Sequence, residues 1–171
     1  LLKYYFSMES LLLDSIDIRL LDALQTDSAR SNQALAALVH VSPATCLRRV
    51  KRLVDSGLIE RQVALLSPDR LAASQGHGLT AIVEVSLEHQ GAERLDAFEA
   101  RVAPDAAVQQ CWRVTPGPDF VLVIHVRDMP GYQALVQRLF TSDANVRNVK
   151  AFFSVKRAKF EPKLALAPVN T

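Results

Sequence analysis

Ser42-Pro43-Ala44-Thr45-Cys46-Leu47-Arg48-Arg49-Val50-Lys51-Arg52-Leu53 is the stretch that decides how this chain folds. Serine directly before proline is a strong helix start. The hydroxyl can accept a free N–H of the first turn, and proline at the first helical position sacrifices no N–H that the helix needs. Gly57 supplies the stop, so the segment predicts a helix from Pro43 to about Ser56. At about 100° per residue, Ala44, Thr45, Arg48, Arg49, Lys51 and Arg52 fall within an arc of roughly 160°. Pro43, Cys46, Leu47, Val50, Leu53 and Val54 occupy the opposite side, which is expected to be buried. No acid enters the basic face before Asp55. A merely solvated face usually mixes signs to form i,i+4 pairs, and like charges crowded together cost stability unless an anion answers them.

Upstream, Ile16, Leu20, Leu21 and Leu24 recur on one helical face, with Asp14 and Asp17 near its start. The turn-forming run Asp27 to Ser31 interrupts it. Ala34, Leu35, Leu38 and Val39 then mark a second short helix, separated from the third by little more than His40 and Val41. Three helices so connected predict a helix-turn-helix. Leu58 to Leu66 is rich in β-formers and ends at Ser67-Pro68, which predicts one or two short strands, a wing. In that setting the basic helix points to double-stranded DNA. Ser42, Ala44 and Thr45 lie at the end of a recognition helix that reaches base edges. Arg48, Arg49, Lys51 and Arg52 would serve phosphates or guanine edges, with nothing to divide them between the two.

The periodicity changes after a stretch, Asp69 to Gly78, that reads as a linker. Ala81, Val83, Val85 and Leu87 alternate with Ile82, Glu84 and Ser86, as in a half-buried strand. Leu95, Phe98 and Val102 mark a helix ending near Pro104. Val108 to Val114 is strand-like, and the strand Phe120 to Val126 follows the turn Thr115-Pro116-Gly117-Pro118. Tyr132, Leu135, Val136, Leu139 and Phe140 form an amphipathic helix, and Val149 to Val155 closes as a strand. This βαββαβ order predicts an antiparallel sheet with two helices on one face. Ile82, Val121, Val123 and Phe152 make the other face partly apolar, so sheet-to-sheet dimerisation is expected. Trp112, Phe120 and Phe152 are expected in a core or an interface.

The expected fold class is therefore α+β: an N-terminal winged helix-turn-helix joined to a C-terminal ferredoxin-like domain. The divisions are an extension (1–13), the DNA-binding domain (14–68), the linker (69–78), the ferredoxin-like domain (79–160) and a C-terminal tail (161–171). The 171 residues are 49% hydrophobic and 22% charged, which is ordinary for a globular chain. A net charge of +2 argues for nothing alone; four of the nine basic residues in the first 75 fall between Arg48 and Arg52, and that focus is what counts. Cys46 and Cys111 are isolated, so no structural zinc or disulfide is expected, and a reducing cytoplasm suits them. His40, His77, His89 and His125 show no ligand or triad spacing, and no phosphate-binding or nucleophile-elbow motif occurs. No catalysis, metal or cofactor is expected. Leu1 to Ser7 read as an extension before a start at Met8, and Lys156, Arg157, Lys159 and Lys163 as a basic, mainly solvated tail.

Several motifs resemble those of the leucine-responsive, feast/famine (Lrp/AsnC) transcription regulators. These are D-x-I-D-x-x-L-L at Asp14 to Leu21, A-R-S-N at Ala29 to Asn32, and the stretch from Ser42 to Leu53 followed by Gly57-Leu58-Ile59. Asp119-Phe120 and R-D-M-P-G-Y at Arg127 to Tyr132 continue the likeness. The resemblance implies homodimers that assemble further, often to octamers, on imperfect palindromes. It also implies modulation by amino acids or related small molecules bound between C-terminal domains. That family commonly carries T-G-x-x-D between the second and third strands of this domain, offering backbone N–H groups to the ligand. Here the turn is Thr115-Pro116-Gly117-Pro118-Asp119, and each proline lacks a donor. Thr115, Gly117 and Asp119 are the candidate effector contacts, with a plain hairpin turn as the alternative. Two other readings stay open. One is a sirohaem-decarboxylase-like enzyme on the same scaffold, with His125 or Arg113 facing a tetrapyrrole; the other is an effector-independent, nucleoid-type DNA-binding protein.

Overall fold

The computed structural model describes residues 12–167, so the readings of Leu1 to Ser7 and Met8 lie outside the described residues. The chain forms two units: one contains residues up to Ala64 together with the segment from Phe160 onward, and the other runs from Leu65 to Lys159.

The first unit holds α1 (Ser15–Thr26), α2 (Asn32–Val39) and α3 (Pro43–Asp55). Each helix begins where its sequence provides a cap. The Asp14 carboxylate accepts the N–H groups of Ile16 and Asp17, both at 2.9 Å, while Asp17 accepts the Asp14 N–H at 3.2 Å. This reciprocal box satisfies donors that a helix start otherwise leaves bare. Ser31 and Ser42 cap α2 and α3. His40, at φ 58°, adopts the left-handed conformation that ends α2 and turns the chain toward α3. Leu20, Leu21 and Leu24 pack with Leu35, Ala36, Val39, Cys46 and Leu53 into one core. Burial pushes the Cys46 thiol pKa up, consistent with a small apolar filler.

Three expectations need correction here. Leu47 and Val54 are exposed, because the buried side of α3 is centred on Cys46 and Leu53 and both side chains lie about a third of a turn from it. The strands expected over Leu58 to Leu66 do not form; no helix or strand occupies that stretch, so no wing is built among the described residues. Half-buried strands need a neighbouring strand to complete their hydrogen bonds, and the run provides only itself. Finally, much of the expected linker is helical: Ser67 caps α4 (Pro68–Gln75), leaving Gly76 to Gly78 irregular.

Of the basic tail, Lys156, Arg157 and Lys159 are exposed as expected, whereas Lys163 and its neighbours are held on α1. The Gln25 side chain brackets the Leu164 backbone, accepting its N–H at 2.7 Å and donating to its carbonyl at 3.2 Å. Lys163 Nζ reaches Asp22 at 2.8 Å and the Thr26 hydroxyl at 2.9 Å, and Leu166 packs on the helical core. The chain therefore returns to α1 after completing the second unit.

That second unit comprises α4, β1 (Leu79–Leu87), α5 (Ala92–Val102), β2 (Val108–Arg113), β3 (Phe120–Val126), α6 (Met129–Val136) with a π-helical turn at Gln137–Thr141, and β4 (Val146–Phe153). The sheet order is β2-β3-β1-β4, antiparallel throughout, which is the ferredoxin-like arrangement. The last strand starts at Val146, upstream of the expected Val149, because its pairing with β1 extends to Leu87. Ala81, Val83, Val85, Leu87, Phe120, Leu122 and Ile124 point to the helices and are fully buried. The Phe98 ring stacks on Phe120 with centroids 4.5 Å apart. The opposite face carries Ile82, Trp112 and Phe152, all exposed, so the three aromatic residues grouped by the sequence separate: Phe120 to the core, Trp112 and Phe152 to the outer face.

Phe98→Ala is expected to destabilise the second unit by about 3–5 kcal/mol, read from denaturant unfolding. Deleting the segment from Phe160 onward should instead weaken the first unit, by about 1–3 kcal/mol for the lost hydrogen bonds. Accelerated amide exchange in α1, with β1 and β3 unchanged, is the expected signature.

Candidate nucleic-acid interface

Asp17 is fully buried within α1, on the same face as Leu20, Leu21 and Leu24, and two cations from α3 converge on it. Arg49 Nη1 lies 2.8 Å from Asp17 Oδ1, and Arg52 Nη2 lies 2.5 Å from Asp17 Oδ2. Arg49 also reaches Asp14 at 2.8 Å. The Asp17 N–H and then Arg49 hold the Asp14 carboxyl below its usual pKa, against the opposing effect of burial. The Arg49 guanidinium is correspondingly raised, chiefly by its hydrogen bond to Asp17. Two of the basic residues expected on the DNA-facing arc thus fasten α3 to α1.

The rest of that arc divides further. Ser42 is engaged as a cap: its hydroxyl accepts the Thr45 N–H at 3.2 Å and donates to Thr45 Oγ1 at 2.9 Å. Lys51 pairs with Asp55 at 2.7 Å, an i,i+4 bridge on a face expected to lack one, although both groups remain exposed. Arg48 is exposed and forms no hydrogen bond or ion pair with the described residues. Ala44, Leu47, Arg48 and Lys51, at i, i+3, i+4 and i+7, make up the outward stripe of α3. This stripe is rotated away from the arc inferred from the wheel, because Asp17 draws Arg49 inward and engages Arg52, whose side chain stays 42% exposed.

In the C-terminal domain, the Asp119 carboxylate accepts the Leu87 N–H at 2.7 Å, and its own N–H donates to Val85 at 3.0 Å. Asp119 therefore anchors the 115–119 turn to β1. Thr115 and Gly117 are exposed on that turn, Gly117 at φ 123°, a conformation suited to glycine. His125 contacts the Thr80 hydroxyl at 3.0 Å, while Arg113 is held by Asp96 at 2.6 Å and Glu99 at 2.8 Å. Register places Arg113 beside Phe120 on the helix-covered face and His125 on the other, so these two do not converge on one cavity.

A model of the AsnC-type helix-turn-helix domain matches residues 13–54, and a model of the Lrp/AsnC ligand binding domain matches residues 80–164. The chain belongs to the Lrp/AsnC family. It is 34% identical over 155 residues to the DNA-binding transcriptional activator DecR of Escherichia coli K12, covering 91% of this chain and 99% of that one. Against a leucine-responsive regulatory protein of Rhizobium meliloti the identity is 35% over 147 residues, covering 86% and 92%. Among solved structures, a transcriptional regulator from Neisseria meningitidis in complex with L-Met matches with a TM-score of 0.77 at 30% identity, covering 90% of this chain and 97% of that one.

As an Lrp/AsnC member, this protein is a DNA-binding transcription regulator with a ligand-binding domain. The residue that sequence reasoning missed is Asp17. A signal was available, since an aspartate in the apolar stripe of α1 must find a cation or remain an unpaired buried charge. Asp17→Ala is expected to cost about 3 kcal/mol of stability by stranding Arg49 and Arg52, as seen in thermal or denaturant unfolding. The depressed pKa of Asp14 contributes stability that is complete above an ordinary aspartate's titration and is lost as pH falls through the folded-state value. Asp14→Asn still caps, so it should flatten that acid-side loss while keeping the helix.

Proposed function

We propose that this chain is a sequence-specific, homo-oligomeric transcription regulator in which α3 enters the major groove and a small molecule bound by the C-terminal domains shifts assembly, and with it DNA affinity. The observation that carries the reading is the outward stripe of α3, which presents Arg48 free of intramolecular partners among the described residues. Two such helices on a dimer would meet successive major grooves about 34 Å apart. Ser42, Ala44 and Thr45 stand at the end nearest the bases, with Arg48 and Lys51 beyond them. Arg49 and Arg52 contribute mainly by holding the helix.

Dimerisation is supported by the uncovered sheet face, where Trp112 is 58% exposed beside Ile82 and Phe152. Val63, Leu65 and Leu66 are also exposed, an apolar run suited to further contacts between copies, dimers first and octamers beyond them. The effector class is an amino acid or related small molecule, supported by the L-Met complex of the N. meningitidis relative. Thr115 and Gly117 would contact it, and Asp119 would fix their turn. Pro116 and Pro118 withhold two donors, which favours effector-independent, nucleoid-type binding as the second reading. The expected location is the cytoplasm, where the duplex is.

Fluorescence anisotropy on the chain's own upstream DNA and on scrambled duplex, in a salt series with and without amino acids, tests these statements. Arg48→Ala should weaken binding and reduce the salt slope by about 0.9 per lost phosphate contact. An unchanged slope and affinity would remove α3 from the interface. An amino acid that shifts affinity supports the effector, whereas selective binding indifferent to the whole panel removes that class. Binding to neither duplex would overturn the regulator reading for this chain.

A further inference from the structure

The outward stripe of α3 contains a residue that neither charge nor capping accounts for. Leu47 is 61% exposed in the middle of a helix, beside exposed Ala44, Arg48 and Lys51, with Val54 two turns on at 46%. It is not needed by the core, which takes Cys46 and Leu53 from the same helix. An isobutyl group left in water beside Lys51 and Arg48 gains nothing from the fold itself, while these neighbours select an anionic surface as the occupant. On duplex DNA the apolar feature available at base-edge depth is the C5-methyl group of thymine, which is displayed only in the major groove.

We propose that Leu47, with the Ala44 methyl one turn before it, packs against a thymine C5-methyl and so fixes a T·A pair in each half-site. This rests on the reading that α3 lies in the major groove. Arg48, adjacent on the stripe, holds the backbone or a guanine edge next to that pair and sets how deeply Leu47 enters. Ala44 is small enough to let the helix approach, and Leu47 is long enough to reach the methyl. Specificity at this position is then apolar and independent of salt, in contrast to the Arg48 contribution.

The test uses the full chain and duplexes it selects from a random-sequence library. In the selected duplex each thymine is replaced singly by deoxyuridine, which removes only the C5-methyl, and affinities of the wild type and Leu47→Ala are compared. The expected result is one thymine per half-site at which deoxyuridine weakens wild-type binding about four-fold, or about fifteen-fold when both half-sites are changed. Leu47→Ala should bind the thymine duplex with the deoxyuridine affinity and ignore the replacement. Leu47 is exposed, so its substitution should leave the melting temperature unchanged, which separates lost reading from lost folding. A penalty of equal size in both proteins, or no sensitive thymine, overturns the inference while leaving DNA binding intact. A change of oligomeric state in Leu47→Ala with the deoxyuridine penalty retained overturns it in favour of a contact between copies. A chain that enriches no duplex overturns the DNA reading of α3, and this inference with it.

Discussion

The buried carboxylate of Asp17 sets the orientation of the whole DNA-binding unit. It sits on the apolar face of α1, where an uncompensated negative charge would be prohibitively costly, and among the described residues the cations that reach it are the two guanidinium groups of α3. Each of its oxygens takes one arginine, so α3 is fixed in rotation as well as in distance. Hydrophobic packing by Cys46 and Leu53 is tolerant of a few degrees of roll; a two-point charged clamp is much less so. Which residues of α3 face outward follows from that clamp. Once Arg49 and Arg52 turn toward α1, the stripe from Ala44 to Lys51 becomes the exposed one.

This division of labour among four neighbouring cations explains why charge counting on a helical wheel is an incomplete guide. A basic face can be basic because it binds DNA or because a buried acid on another helix requires it, and on α3 Asp17 accounts for two of the four cations. Arg48 and Lys51 retain exposed charge, while Arg49 and Arg52 neutralise Asp17. The second pair belongs to architecture, and the first is what α3 leaves available to a partner. Substitutions in the two groups would therefore weaken DNA binding by different routes, the one by removing contacts and the other by unseating the helix.

What was legible in the sequence was what period and punctuation determine. Ser42-Pro43 and Gly57 bounded α3, and the alternation of Ala81, Val83, Val85 and Leu87 assigned the faces of β1. The βαββαβ order, together with short connections, left the antiparallel sheet as the natural arrangement. What was illegible depended on partners distant in sequence. Arg49 and Asp17 are 32 positions apart; the place of Asp17 in the apolar stripe calls for a cation, but nothing local says which one answers. Leu58 to Leu66 has the composition of strands but no strand to pair with, so propensity alone gave the wrong state. Residues 68–75 read as linker for the opposite reason: the Ser67-Pro68 start signal was visible, but Ala72-Ala73-Ser74 lacked an apolar stripe to extend it.

The return of the chain to α1 adds a constraint that neither domain carries alone. The first unit is joined to the second through the residues after Ala64 and again through those before Phe160, so two covalent connections link them instead of one. The second ends in a specific dock, with Gln25 on the Leu164 backbone and Lys163 on Asp22 and Thr26. It emerges from β4, a strand of the sheet whose uncovered face is suited to a second copy. The segment from Phe160 onward thus holds α1 from its outer side, as Asp17 ties α1 to α3 from within.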